Sequence, residues 1–197
     1  MKLQNYEPLR DLSLNAMYLS LLFVLVILAA PQTRGETAKV APTEKSCHEF
    51  VQDFYTWYRT GDKSIQTVFK HRASSFAPAL LQPLKADEAA SAASPGEVVG
   101  LDFDPFLNAQ DIPDRCIVGK VSSKDNGYSV EVFEVFSGKK DAKPAVVPEL
   151  AFKNGQWIFT NFVYPRDGGK SDNLLSVLKV LAAERAQYSK HSPHHNR

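Results

Sequence analysis

The densest polar stretch of the sequence is Leu101-Asp102-Phe103-Asp104-Pro105-Phe106-Leu107-Asn108-Ala109-Gln110-Asp111, which packs three carboxylates and two amides into its last ten residues. Oxygen donors at that density suit a hard divalent cation. Set against an EF-hand loop, Asp102 and Asp104 meet the first and third positions, but Phe106, Leu107 and Pro113 occupy the fifth, sixth and twelfth, where the loop needs an oxygen ligand, a glycine and a bidentate glutamate. An EF-hand is excluded, and no metal is expected. The same residues have structural work open to them. Asp104 before Pro105 is a turn starter, Asn108 and Asp111 can hydrogen-bond free backbone groups, and Phe103, Phe106 and Leu107 can pin the loop to a core. Asp102, Asp104, Asn108 and Asp111 are therefore read as a loop that is structural first and a binding surface second.

Other chemistries find less support. Gly169-Lys170-Ser171 lies where a phosphate-binding loop would, between a strand and a helix, but that motif needs a glycine five residues before Gly169, and Tyr164 stands there. A nucleophile elbow fails as well, because Asn173 occupies its last glycine position. A serine or cysteine nucleophile needs a histidine base. His48 falls in the first turn of a helix, His71 in a basic stretch with Lys70 and Arg72, and His191, His194 and His195 in a polar tail without the fixed outer shell of a metal site. No catalytic residue and no cofactor are assigned. Two strand residues stand out instead: Glu134 alternates with Val130, Val132 and Phe136, and Asn161 with Trp157, Phe159 and Val163. Polar groups on an apolar face need partners, so each either lines a pocket or bonds across strands. With Tyr55 and Tyr58, whose rings either stack on a ligand or belong to the core, Glu134 and Asn161 form the candidate pocket.

The elements that must position these residues are legible from periodicity. Ser46 and Glu49 have capping-box spacing, and behind them Phe50, Phe54 and Trp57 recur at helical intervals beside Val51, Tyr55 and Tyr58. Thr60-Gly61-Asp62 ends that helix. Ser64 to His71 forms a second short one, and Ser75 to Ala90 a third, interrupted by Pro83. The period then changes. Cys116–Ser122, Tyr128–Phe136, Ala145–Phe152 and Trp157–Tyr164 are rich in β-branched and aromatic residues, separated by Asp125-Asn126-Gly127, Ser137-Gly138 and Asn154-Gly155. Four antiparallel strands in a meander are expected. A closing helix, capped by Ser171 or Asp172, carries Leu174, Leu178 and Leu181 and runs to about Tyr188. Helices first and a meander after make an α+β domain, with N-terminal helices packed on a curved four-stranded sheet.

Ala16 to Ala30 is a run of 15 uncharged, mostly apolar residues, preceded by Lys2 and Arg10 and followed by Pro31, which is the layout of a secretory leader and shorter than a membrane span. Thr33 and Gly35 supply the small residues for cleavage after Gly35; an uncleaved N-terminal anchor is the alternative. Expected boundaries are 1–35 signal peptide, 36–45 flexible lead-in, 46–188 a single α+β domain and 189–197 disordered tail. The whole chain carries 23 basic and 22 acidic residues among 197, a net charge of +1. Removing 35 residues with Lys2, Arg10, Arg34, Glu7 and Asp11 leaves 162 residues with no net charge, and so no field to draw nucleic acid or an anionic membrane. No integral span is expected after processing. Outside the cytoplasm Cys47 and Cys116, the only cysteines, are expected to form one disulfide, with two buried thiols as the alternative.

The segments Phe50 to Tyr58, Leu101 to Asp111 and Gly155 to Tyr164 together resemble the domain of unknown function 3828 family, a group of exported bacterial envelope proteins. The likeness spans about Cys47 to Arg185, and the "LDFDPF" and "NAQD" runs are its most specific part. Many members resemble lipoproteins; this chain has no cysteine directly after the apolar run to carry a lipid. The resemblance assigns no activity. The helix-then-meander order is also similar to the cone-shaped folds related to nuclear transport factor two, which enclose a pocket between first helices and sheet and host enzymes and binding modules alike. The expectation is a periplasmic or secreted, non-enzymatic binding or scaffolding domain whose partner is an envelope protein or a small molecule. The alternative is a small-molecule-binding or hydrolytic enzyme that uses Asp102 or Asp104 as base with Glu134 or Asn161.

Overall fold

The computed structural model describes residues 42–61, 64–94, 96, 99–125, 127–166 and 168–191. Contacts divide the chain into Met1–Lys39 and Val40–Arg197, and every described residue belongs to the second unit. The leader, its cleavage point, residues 36–41 of the lead-in, and His194 and His195 of the tail lie outside the described residues.

Helix α1, Glu44–Thr60, begins earlier than its sequence suggests. Thr43 is the cap: its hydroxyl accepts from Ser46 N at 3.1 Å while Ser46 Oγ accepts from Thr43 N at 3.1 Å. Ser46 is thus the last residue of the box rather than its first, and the extra turn brings Cys47 fully into the core. Helix α2, Ile65–His71, is the expected second short helix, with Ser64 as its cap. After a short 3-10 turn at Ala73–Ser75, helix α3 runs Pro78–Ala93, continuous through Pro83. Its start is displaced from Ser75 because the chain is first drawn out along the sheet: Ala77 N donates to Phe159 O at 2.8 Å, and Pro78 then opens the helix where its missing N–H costs nothing.

The sheet is antiparallel and contains β1 Arg115–Lys124, β2 Gly127–Phe136, β3 Lys139–Lys140, β4 Val147–Lys153, β5 Gln156–Tyr164 and β6 Asp172–Asn173. Its order is β1-β2-β4-β5-β6, with β3 also on β2. The four long strands are those expected from periodicity; the two-residue β3 and β6 are additions too short to have a period. Asn154-Gly155 and Ser137-Gly138 turn with both residues at positive φ, +52° and +80° in the first and +49° and +77° in the second, as a two-residue hairpin requires. Helix α4, Leu174–His191, closes the unit. Asn173 caps it, its Oδ1 accepting from Ser176 N at 3.0 Å, because Asp172 and Asn173 are first paired with Tyr164 and Val163.

Two bulges interrupt the ladder, one between Val118 and Val121 and one where Glu149 pairs Asn161 but Leu150 pairs Phe159. Each bends its strand, and each reverses which residues face the helices. The core lies between the sheet and α1. Phe54 is at its centre, with six aromatic rings at centroid distances of 4.9 to 6.0 Å, so the aromatic stripe of α1 is packing surface. Among the described residues no helix is long and apolar enough to cross a membrane.

Candidate functional site

The acidic loop folds around Asp104. One carboxylate oxygen, Oδ1, accepts from Phe106 N at 2.8 Å and Leu107 N at 3.1 Å, and the other accepts from Tyr58 Oη–H at 2.7 Å. The backbone closes the same turn: Asp104 N donates to Ala109 O at 3.0 Å and Asn108 N to Asp104 O at 2.8 Å. Asn108 adopts φ +57°, which the turn demands and asparagine tolerates, and its Nδ2 reaches Ala145 O at 3.1 Å. From beneath, Tyr55 donates to Phe106 O at 2.8 Å and Tyr164 to Pro105 O at 2.9 Å. Phe106 and Leu107 are buried. Three tyrosines from α1 and β5 therefore hold a loop of irregular backbone rigidly against the core. Burial raises the Asp104 carboxyl above its ordinary range, although Tyr58 and the two N–H groups pull the other way.

The outward side of this loop is different. Asp102, Gln110 and Asp111 are exposed, Ile112 is 51% exposed, and with Leu101 and Phe103 they border an open groove of about 540 Å³. Among the described residues, no basic one lines it. On the helix side of the loop, Tyr58, Asp87, Ser91 and Phe103 border a smaller polar recess of about 180 Å³. Asp87 was not anticipated from sequence. It is 3% exposed on α3, accepts from Leu101 N at 2.9 Å, and pairs with Arg185 of α4 at 2.5 Å. Its signal was present: Leu80, Leu84 and Asp87 follow one helical stripe, and an acid on an apolar stripe needs a partner.

Of the candidate pocket residues, Tyr55, Tyr58 and Glu134 face the interior and Asn161 does not. The β5 bulge reverses the alternation after Phe159, so Phe162 and Tyr164 enter the core while Asn161 turns to the other side. There it accepts from Leu175 N at 3.2 Å and donates to Glu149 Oε2 at 3.4 Å, tying α4 to the sheet. Glu134 is 6% exposed, and its Oε1 has no hydrogen-bond partner among the described residues. It pairs across the ladder with Cys116. Burial pushes its carboxyl up to about 7, with the charges of Asp141 and Asp104 adding to the effect.

The expected disulfide is corrected: Cys47 and Cys116 are both buried free thiols. The packing of α1 on β1 explains why. His48 and Gln52 bond Val118, while Arg59 donates to Pro113 O at 3.2 Å, so Cys47 lies at the Val118 end of the strand and the helix residues over Cys116 come about two turns later. Burial raises both thiols to about 12, which makes them poor nucleophiles. His48 is spent on the Val118 carbonyl, His71 is exposed, and Gly169-Lys170-Ser171 is an exposed loop. Among the described residues no group of three or more His, Cys, Asp or Glu could hold a metal ion.

Comparison with protein-family models, with curated proteins and with solved structures found no match. Function has to be argued from the residues themselves.

Proposed function

We propose that the chain is an exported bacterial envelope protein whose α+β domain binds or scaffolds rather than catalyses, with the loop from Leu101 to Asp111 as its contact surface. One observation carries this reading. Asp104, the best-placed candidate for a general base, has both oxygens engaged by Tyr58, Phe106 N and Leu107 N, which leaves it to shape the loop. The exposed members, Asp102, Gln110 and Asp111, then stand on a rigid support beside Ile112. Function-bearing loops are commonly presented in this way by a fixed scaffold. A groove with two exposed carboxylates, apolar walls and no lining cation favours a partner that brings positive charge, an envelope protein segment or a small molecule. Nucleic acid is a poor match to such a surface.

Membership of the domain of unknown function 3828 family and a cone of the nuclear transport factor two type belong to the same proposal. They rest on the quoted runs of sequence and on a bulged sheet packed against an aromatic first helix. Export rests on the apolar run from Ala16 to Ala30. The hydrolytic alternative keeps one supporting feature, the unpartnered oxygen of Glu134, which lies within electrostatic reach of Asp104 and Asp141.

The test is capture from envelope extract at low and moderate salt, with the protein and its Asp102→Asn/Asp111→Asn variant as baits. The expected result is a specific partner that the variant loses and that weakens with salt. A partner retained equally by both baits overturns the assignment of the loop.

A further inference from the structure

Glu134 is the one buried carboxylate that the fold leaves without a partner on one oxygen among the described residues. Groups face it from every element packed around it. Cys116 lies across from it on β1, Tyr55 on α1 and Asp104 in the acidic loop are within electrostatic reach, and Asp141, between β3 and β4, donates its backbone N–H to Glu134 O at 3.0 Å and brings a further negative charge. Of the cations around it, Arg59 influences Cys116 but directs its guanidinium to Pro113 O, and Lys140 on β3 sets its Nζ over the Phe133 ring, 3.6 Å from the centroid. Glu134 therefore has two carboxylates within electrostatic reach and no ion-pair partner among the described residues, and one of those carboxylates organises the loop.

We propose that Glu134 is a proton-operated brace for the loop from Leu101 to Asp111: protonated, it rests in the core and leaves Asp104 undisturbed; ionised, it repels Asp104 and Asp141 and loosens the loop. The connection is short. Tyr55, close to Glu134, donates to Phe106 O, and Ala145, whose N–H bonds Val132 O on the strand that carries Glu134, accepts from Asn108. Burial lifts the Glu134 carboxyl from 4.5 to about 7. Because the folded state holds this proton more tightly than the unfolded chain, the stabilisation is complete below the ordinary glutamate range and is lost as pH rises through about 7. An envelope protein exposed to changing external pH would carry its contact surface rigid in mild acid and loose in mild alkali.

The experiment does not involve the partner, so its failure and that of the binding proposal are distinguishable. Chemical unfolding and amide exchange of the folded chain are followed from about pH 5.5 to about pH 8.5, for the natural sequence and for Glu134→Gln, which keeps the shape and removes the charge. The expected result is a folding constant that falls by up to about tenfold per pH unit below about pH 7 and levels off above it, a fall that Glu134→Gln abolishes. The Phe106 and Leu107 amides should lose protection in the same range, after correction for base-catalysed exchange, while the α1 amides keep theirs. A pH dependence that survives Glu134→Gln, or loop amides that keep their protection, overturns the proposal. Should Glu134→Gln not fold, direct titration of the carboxylate stretch of Glu134 in the natural sequence decides: a midpoint near the ordinary glutamate value sinks the idea.

Discussion

At the scale of single residues, the acidic loop depends on hydroxyl donors that reach it from the core. Tyr58 donates to the second oxygen of Asp104, and Tyr55 donates to Phe106 O. Removing one hydroxyl leaves a buried acceptor short of a partner, which costs about 1 to 3 kcal/mol, more than the roughly 1 kcal/mol that a hydrogen bond contributes net. Tyr58→Phe should therefore lower stability by about 2 kcal/mol in denaturant titration, with the slope unchanged, and should raise the exchange rate of the Phe106 and Leu107 amides first. A variant as stable as the natural chain would show that Asp104 is held by its backbone donors alone. The turn-forming role of Asp104 was readable from Asp104-Pro105 and the flanking aromatic residues. The tyrosine donors were not, because α1 is 46 residues away from Asp104 at Tyr58, and nothing local to either segment indicates that they meet.

At the scale of elements, what could be read was what repeats. The four long strands and their hairpins were legible because alternation, β-branched residues and Asn154-Gly155 all point the same way. The face of Asn161 was not, because a single extra residue in β5 inverts every later side chain and leaves no mark on composition. The same holds for the free thiols: two cysteines and an apolar leader suggest a bridge, but only the register of α1 on β1 tells that they lie apart. Competing local signals decided the helix starts, with Thr43-Ser46 and Ser46-Glu49 both spelling a cap and tertiary burial of Cys47 going with the first. Gly127 opens β2 at φ +155° against β4, and an added Cβ there would stand 2.0 Å from Leu150 O. Neither the backbone angle nor the carbonyl can yield cheaply. Gly127→Ala should cost at least about 2 kcal/mol and loosen the pairing of β2 with β4, seen as loss of amide protection at Tyr128 and Ser129 ahead of the rest of the sheet. Protection lost uniformly would mean that the strain is spread over the whole unit.

At the scale of the whole molecule, buried polar residues of the kinds that serve chemistry are largely engaged in structure. Asp104 shapes a loop, Asp87 and Arg185 join α3 to α4, and Asn161 joins α4 to the sheet. What is left to meet a partner is the outer side of the braced loop. Its worth depends on rigidity, since a contact surface ordered before binding loses less entropy on binding. The two kinds of acid in that loop should therefore separate cleanly. The most direct measurement compares Asp104→Ala with Asp102→Asn in two assays, chemical unfolding and capture of an envelope partner. Asp104→Ala should lose on the order of 3 kcal/mol of stability, because it strands Tyr58 and two backbone donors, whereas Asp102→Asn should unfold like the natural chain and capture less. An Asp104→Ala protein of unchanged stability that has lost its function would contradict the account and return Asp104 to the role of a working base.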